Sequence, residues 1–146
     1  MICFNLEVGF RLFFMQKSVR VFFPAEHNDD WYKKISSTLP ENASIIHKNE
    51  DIDGEYCRVI RQSNLFYDVV VVDCRDRVNC MKQSVNALSE RGVIVLDDSE
   101  RDGYQEGIKF LVNCGFRLLN FEGLKPNKYR LSRSTLFYKD GNCFGI

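Results

Sequence analysis

The segment Tyr67-Asp68-Val69-Val70-Val71-Val72-Asp73 constrains this chain more than any other. Four consecutive valines disfavour a helix, because a side chain branched at Cβ loses rotamer freedom against the preceding turn. A strand that is apolar on both of its alternating faces needs cover on both, which places it in the middle of a parallel sheet. Val93 to Leu96 repeats the pattern. Parallel strands must be joined by crossovers, so the fold class is α/β.

Periodicity supplies the remaining elements. Ile2, Phe4, Leu6 and Val8 alternate and run into Gly9, which predicts a first strand ending at a tight turn; residues 10–16 leave room for only a short helix. Val19 to Phe23 is a second strand halted by Pro24. Asn28 or Asp29 then caps a helix carrying Trp31, Ile35 and Leu39 at i, i+4, i+8. Ala43 to His47 is a third strand, and Tyr56, Val59 and Ile60 mark the helix after it. Val78, Met81, Val85 and Leu88 predict another helix, with Gly92 as its C-cap. Tyr104, Ile108, Leu111 and Val112 outline a last helix closed by Gly115. Phe116 to Phe121 and Ser134 to Tyr138 are two strands with no helix between them, hence an antiparallel hairpin at one edge of a mostly parallel sheet.

A chain of 146 residues, 45% of them hydrophobic, can bury one core, and no linker or repeat divides it, so residues 1–146 read as a single domain. Twenty basic residues balance twenty acidic ones, which leaves no field to gather a polyanion; nucleic acid is not the expected partner. The six cysteines form no C-x-x-C pair and only two histidines could complete a site, which argues against zinc. Cysteines set inside apolar runs suit a reducing compartment, and the expected location is cytoplasmic. Asn5, Glu7 and Arg11 interrupt the apolar N-terminus, so it reads as a core strand and no membrane association is expected.

Acidic residues fall at the predicted strand ends: Glu7 (with Gly9), Glu26, Asp53 (with Gly54), Asp73, and Asp97 with Asp98. In an open α/β sheet the ligand lies beyond the carboxyl ends of the strands, near a switch in strand order. An acid after the second strand can accept hydrogen bonds from both hydroxyls of a ribose. Each acid singly could cap a helix; together they outline a nucleoside site. Asp73, Asp97 and Asp98 also offer the oxygen ligands that magnesium takes, but a helix start accounts for the aspartate pair, and no metal site is assigned. Arg75, Asp76 and Arg77 either meet a charged substrate or form solvated pairs. A phosphoacceptor receiver would want a lysine after the fifth strand, where this chain has Asp97-Asp98-Ser99.

Three segments carry a family resemblance: Val21 to Tyr32 around Ala25-Glu26-His27-Asn28; Asp68 to Arg77; and Gly92 to Arg101 leading into Tyr104-Gln105-Glu106-Gly107. In these the chain resembles the class I S-adenosylmethionine-dependent methyltransferases, from about Glu7 to the C-terminus. The resemblance implies a Rossmann-like sheet of seven strands with a C-terminal antiparallel hairpin. It also implies S-adenosylmethionine as cofactor: Glu7 and Gly9 at its methionine part, Glu26 on the ribose with His27 beside it, Asp53 and Gly54 at the adenine, and Asp73 near the transferred methyl. Asp73 or Asp98 would be the base where one is needed, and Arg75, Asp76 and Ser99 would meet the methyl acceptor, whose identity the sequence does not disclose.

One motif departs from that pattern. The family reads E-x-G-x-G-x-S, whereas this chain has Glu7-Val8-Gly9-Phe10-Arg11-Leu12, with bulk where the cofactor would lie. The chain also starts at the first strand, without the helices that cover the cofactor in the family. Two functions are therefore expected in competition: a methyltransferase, or a shortened non-catalytic domain that binds a nucleoside weakly or contacts a protein. Missing cover would expose apolar surface and favour a homodimer.

Overall fold

A computed structural model of the chain describes residues 2–3, 21–26, 29–37, 39, 41, 43–49, 51–62, 64–125 and 129–146. Among the described residues there are seven strands: β1 (Ile2–Cys3), β2 (Val21–Glu26), β3 (Ala43–His47), β4 (Tyr67–Val72), β5 (Leu88–Leu96), β6 (Arg117–Leu124) and β7 (Leu131–Tyr138). Four α-helices alternate with them: α1 (Asp29–Ser36), α2 (Glu55–Gln62), α3 (Arg77–Ser84) and α4 (Gln105–Asn113).

The valine run sits where its composition requires. Val69, Val70, Val71 and Val72 lie parallel to Val93, Ile94, Val95 and Leu96 at the centre of a five-stranded sheet ordered β1-β4-β5-β7-β6. β7 runs antiparallel to both β5 and β6, giving the expected hairpin. β2 and β3 form a separate parallel ladder, and β2 lies against β1. The order thus reverses beside β1, between β2 on one side and β4 on the other, which locates the switch point.

Alternation along the strands puts Val70, Val72, Ile94, Leu96 and Phe137 on one face, all fully buried. They share a core with Val59 and Ile60 of α2, Met81 of α3 and Leu111 of α4. Each such side chain contributes roughly 1.5–3 kcal/mol on leaving water. Gly107 lets α3 and α4 approach, since a Cβ there would stand 2.2 Å from the Met81 methyl. α4 ends as a Schellman turn: Gly115 takes φ +84°, its N–H bonds to the Val112 carbonyl at 2.9 Å, and the Phe116 N–H bonds to Leu111 at 3.1 Å.

Four expectations are corrected. β2 does not stop at Pro24 but continues to Glu26; its register with β3 shifts between those residues, where proline lacks a ladder N–H. α1 ends at Ser36, short of Leu39, and the Ser36 and Ser37 hydroxyls bond back to the Lys33 and Lys34 carbonyls. Val112 faces outward at the end of α4. The largest difference concerns Gly92. α3 stops at Ser84, a 3-10 turn follows (Val85–Ala87), and Leu88 opens β5 opposite Tyr67. Gly92 is therefore a buried strand residue rather than a helix cap. The short helix after Gly9 lies outside the described residues, as does the first strand beyond Cys3.

The reason for glycine at position 92 is space. An added Cβ would stand 2.7 Å from the Leu88 side chain and 2.9 Å from the Tyr67 carbonyl oxygen. Gly92→Ala should cost about 1–3 kcal/mol, the usual range for forcing bulk into a packed site. Urea denaturation checks this; a stability equal to that of the unaltered protein would mean that the strand does not pass so close to Tyr67.

Candidate functional site

The loop after β4 turns directly into α3, whose first residue is Arg77. Four residues separate it from Asp73, so the first helical turn folds its guanidinium back onto that carboxylate. Arg77 is only 6% exposed, the most enclosed cation described. Its Nη2 donates to Asp73 Oδ1, its Nη1 donates to the Tyr104 hydroxyl at 3.0 Å, and Asp98 Oδ2 lies 3.7 Å away. The group also sits over the Tyr104 ring, 5.1 Å from its centroid. Burial would lower its pKa, but Asp73, Tyr104 and Asp98 outweigh that and raise it, so the positive charge is permanent.

Asp98 stands in the turn after β5 with φ +52°, a left-handed conformation that aspartate tolerates better than most residues. It is 3% exposed and meets Arg101 and Lys125 in ion pairs, with the Ser132 hydroxyl donating at 2.9 Å. Burial pushes its carboxyl up, yet the hydrogen bonds from Lys125 and Ser132 and the charges of Lys125 and Arg101 prevail and hold it at about 2. A carboxylate so acidic is a poor proton acceptor near neutrality. Expected as a base by position, Asp98 instead joins the β5 turn to the β6–β7 connection.

The neighbours of Asp98 are bound into the same structure. Asp97 accepts from the Ser134 hydroxyl at 3.0 Å, and Glu100 accepts the Arg133 N–H at 2.9 Å. Ser99, expected to meet substrate, is 1% exposed: its N–H and hydroxyl both donate to the Arg133 carbonyl, and its Oγ lies 2.6 Å from the Thr135 hydroxyl. It joins the turn after β5 to β7. Arg75 is exposed on the rim. Asp76 bridges two loops, accepting the Asp53 N–H at 2.9 Å and the Asn79 side-chain amide at 2.9 Å.

Asp53 and Gly54 lie in the connection between β3 and α2. The Asp53 carboxylate takes Arg58 at 2.8 Å, and Asp51 caps α2 by accepting the N–H groups of Glu55 and Tyr56, each at 2.9 Å. A Cβ at Gly54 would overlap the Asp51 carboxylate, so a larger residue there would displace that cap. Cys57, on the first turn of α2, has its thiol pushed up to about 11 by burial, with Asp76 adding to the effect, which removes it as a nucleophile.

At the ends of β2 and β3, Glu26 is the register partner of His47. The His47 imidazole Nε2 lies 2.9 Å from Asp29 Oδ1 at the start of α1, and its ring is 5.1 Å from that of Tyr32. The proposed cofactor residues Glu7, Gly9 and His27 lie outside the described residues. Glu26, Asp53, Gly54 and Asp73 are thus distributed over the ends of β2, β3 and β4, with β1 between β2 and β4, and Asp76 links the β3–α2 and β4–α3 connections. His47, Arg101 and Lys125 carry no signal in the sequence, and Arg77 is neither of the alternatives expected for it, a substrate contact or a solvated pair; the i, i+4 spacing of Asp73 and Arg77 is the signal for the buried pair.

The oxygen atoms of Asp73, Asp97 and Asp98 face arginine, lysine and serine rather than one another. Among the described residues no group of three histidine, cysteine or acidic side chains could hold a metal ion, and no helix is long and apolar enough to cross a membrane.

No family model matches the chain, and no curated protein does. Solved structures do. A precorrin-6y C5,15-methyltransferase from Geobacter metallireducens superposes with a TM-score of 0.56 at 16% identity, over 82% of this chain and 67% of the other. An S-adenosylmethionine-dependent O-methyltransferase from Thermotoga maritima gives 0.53 at 22% identity, over 82% of this chain but 49% of its own length. A protein described as a methyltransferase from Streptococcus mutans, solved with S-adenosylhomocysteine, gives 0.55 at 9% identity, over 82% and 76%. The chain has the class I methyltransferase fold, mostly parallel with a terminal antiparallel hairpin.

The Asp98 cluster makes a prediction in pH. The carboxyl lies below its unfolded value of 3.8, so its contribution to stability is complete above about pH 4 and is lost as pH falls through about 2. That shift corresponds to about 2 kcal/mol. In urea titrations the stability advantage of the unaltered protein over Asp98→Asn should shrink by about that amount between roughly pH 5 and roughly pH 2. A difference constant over that window would mean that Asp98 is not held by these cations.

Proposed function

We propose that this chain binds S-adenosylmethionine across the carboxyl ends of β1 to β4 and transfers its methyl group to an acceptor. The observation that carries the reading is the fold match to methyltransferases taken together with Glu26, an acid at the end of β2, beside the switch in strand order. The Glu26 carboxylate accepts from the ribose hydroxyls, next to His47, its partner in strand register. The 51–54 connection borders the adenine. Asp73, fixed by Arg77, closes the methionine end. Glu7 and Gly9 supply the first-strand contact.

The cofactor brings a sulfonium whose methyl carbon is open to in-line attack, so the protein's task is alignment rather than strong base catalysis. Such a division suits a site whose Asp98 is too acidic to take a proton and whose Asp73 is engaged by Arg77. Arg75, exposed between β4 and α3, orients the acceptor, and Asp76 holds the loop beside it.

A second reading is a non-catalytic domain with this fold. It is favoured by the Phe10-Arg11 pair in place of a glycine loop and by the carboxylates at the ends of β4 and β5, which are bound by internal cations.

Calorimetric titration with S-adenosylhomocysteine separates the two. Charge-assisted hydrogen bonds contribute about 1.5–3 kcal/mol each, so Glu26→Ala should weaken binding at least about tenfold while leaving the urea midpoint unchanged. An unaltered protein that takes up no ligand at millimolar concentration would overturn the enzyme reading.

A further inference from the structure

β6 is the outermost strand of the five-stranded sheet, and all eight of its residues are exposed. Four of them are large and apolar: Leu118 and Leu119, each 42% exposed, Phe121 at 56% and Leu124 at 73%; Leu131, opposite Leu124 on β7, is 64% exposed. Edge strands of monomers are usually shortened, bulged, or guarded by lysine or proline, because their free N–H and C=O groups invite pairing. β6 has none of these guards. It pairs with β7 over its whole length without a register shift, and it contains no lysine or proline. Its two charges are neutralised within the chain, Arg117 by Asp140 and Glu122 by Arg133, so neither stands ready to repel a second strand.

We propose that this edge is a homodimer interface, on which a second copy of the chain adds its own β6 antiparallel to the first, so that the two sheets run on as one. This goes beyond the methyl-transfer reading and does not depend on it. The choice of a second copy rests on self-complementarity. A two-fold axis perpendicular to the sheet sets residues of one face opposite residues of the same face. Leu119 and Phe121 share the face that carries Leu136, and an axis through Asn120 puts each Leu119 opposite Phe121 of the second copy. Four apolar side chains then close over one another. The formal net charge is zero, so no overall repulsion opposes association. Leu119 and Phe121 lie on one face of the edge strand and Leu118 and Leu124 on the other, so a second strand added along β6 meets apolar side chains on both faces.

Sedimentation equilibrium of the full chain across the micromolar range tests the proposal. The unaltered protein should be dimeric, and Phe121→Lys and Leu119→Lys should each weaken the dimer at least tenfold with unchanged circular dichroism and urea midpoint, because both side chains face solvent in the monomer. Ile52→Lys, a control at an exposed apolar residue elsewhere, should leave the dimer intact. A monomeric unaltered protein would overturn the proposal, as would a dimer that survives both β6 substitutions or is broken by Ile52→Lys.

Discussion

The Arg77 guanidinium is the constraint around which the carboxyl-end rim is arranged. Taking an arginine out of water costs several kcal/mol unless opposite charge and hydrogen-bond acceptors surround it. The chain meets that requirement with Asp73 from the end of β4, Asp98 from the turn after β5, and Tyr104 from the 3-10 turn before α4. Asp98 in turn draws in Arg101, Lys125 and Ser132, which extends the network to the β6–β7 connection. One buried cation therefore ties together three connections, β4–α3, β5–α4 and β6–β7.

This arrangement limits the chemistry available there. Asp98, held at about 2 by its cations and by Ser132, orients its surroundings and does not shuttle protons near neutrality. Methyl transfer from a sulfonium is among the reactions that tolerate such a site, since geometry supplies much of the acceleration. The nucleoside half of the site is built differently. At the ends of β2 and β3, Glu26 and His47 are neighbours by strand register alone, and no buried arginine organises that end among the described residues.

Much of the fold is legible because the sheet centre is written in β-branched residues: β3 and β4 lie within a residue of their sequence expectation, and the pairing of β4 with β5 follows from the apolar residues both carry on their two faces, although Val69, Val71 and Val95 on the second face are only half-buried. The terminal hairpin followed from the lack of a helix between Phe121 and Ser134. Gly92 misled because a glycine after a helical pattern ordinarily caps it, and nothing local reports that Tyr67, 25 positions upstream, will press against the strand. The site was legible in its acids but not in its cations. Asp73 and Asp98 could be placed by strand ends, whereas Lys125 and Ser132 reach Asp98 across 27 and 34 positions of sequence through the hairpin register. Ser99 looked accessible because its partner Thr135 is equally distant in sequence.

The claim that Arg77 organises the rim is tested most directly by hydrogen exchange in Arg77→Met, which keeps the bulk of the side chain and removes its charge. The amides of residues 97–104 and 129–133 should lose protection, while those of Val70, Val72, Ile94 and Leu96 in the sheet centre keep theirs. Unchanged exchange along the rim, or a loss spread evenly through the sheet, would contradict the account.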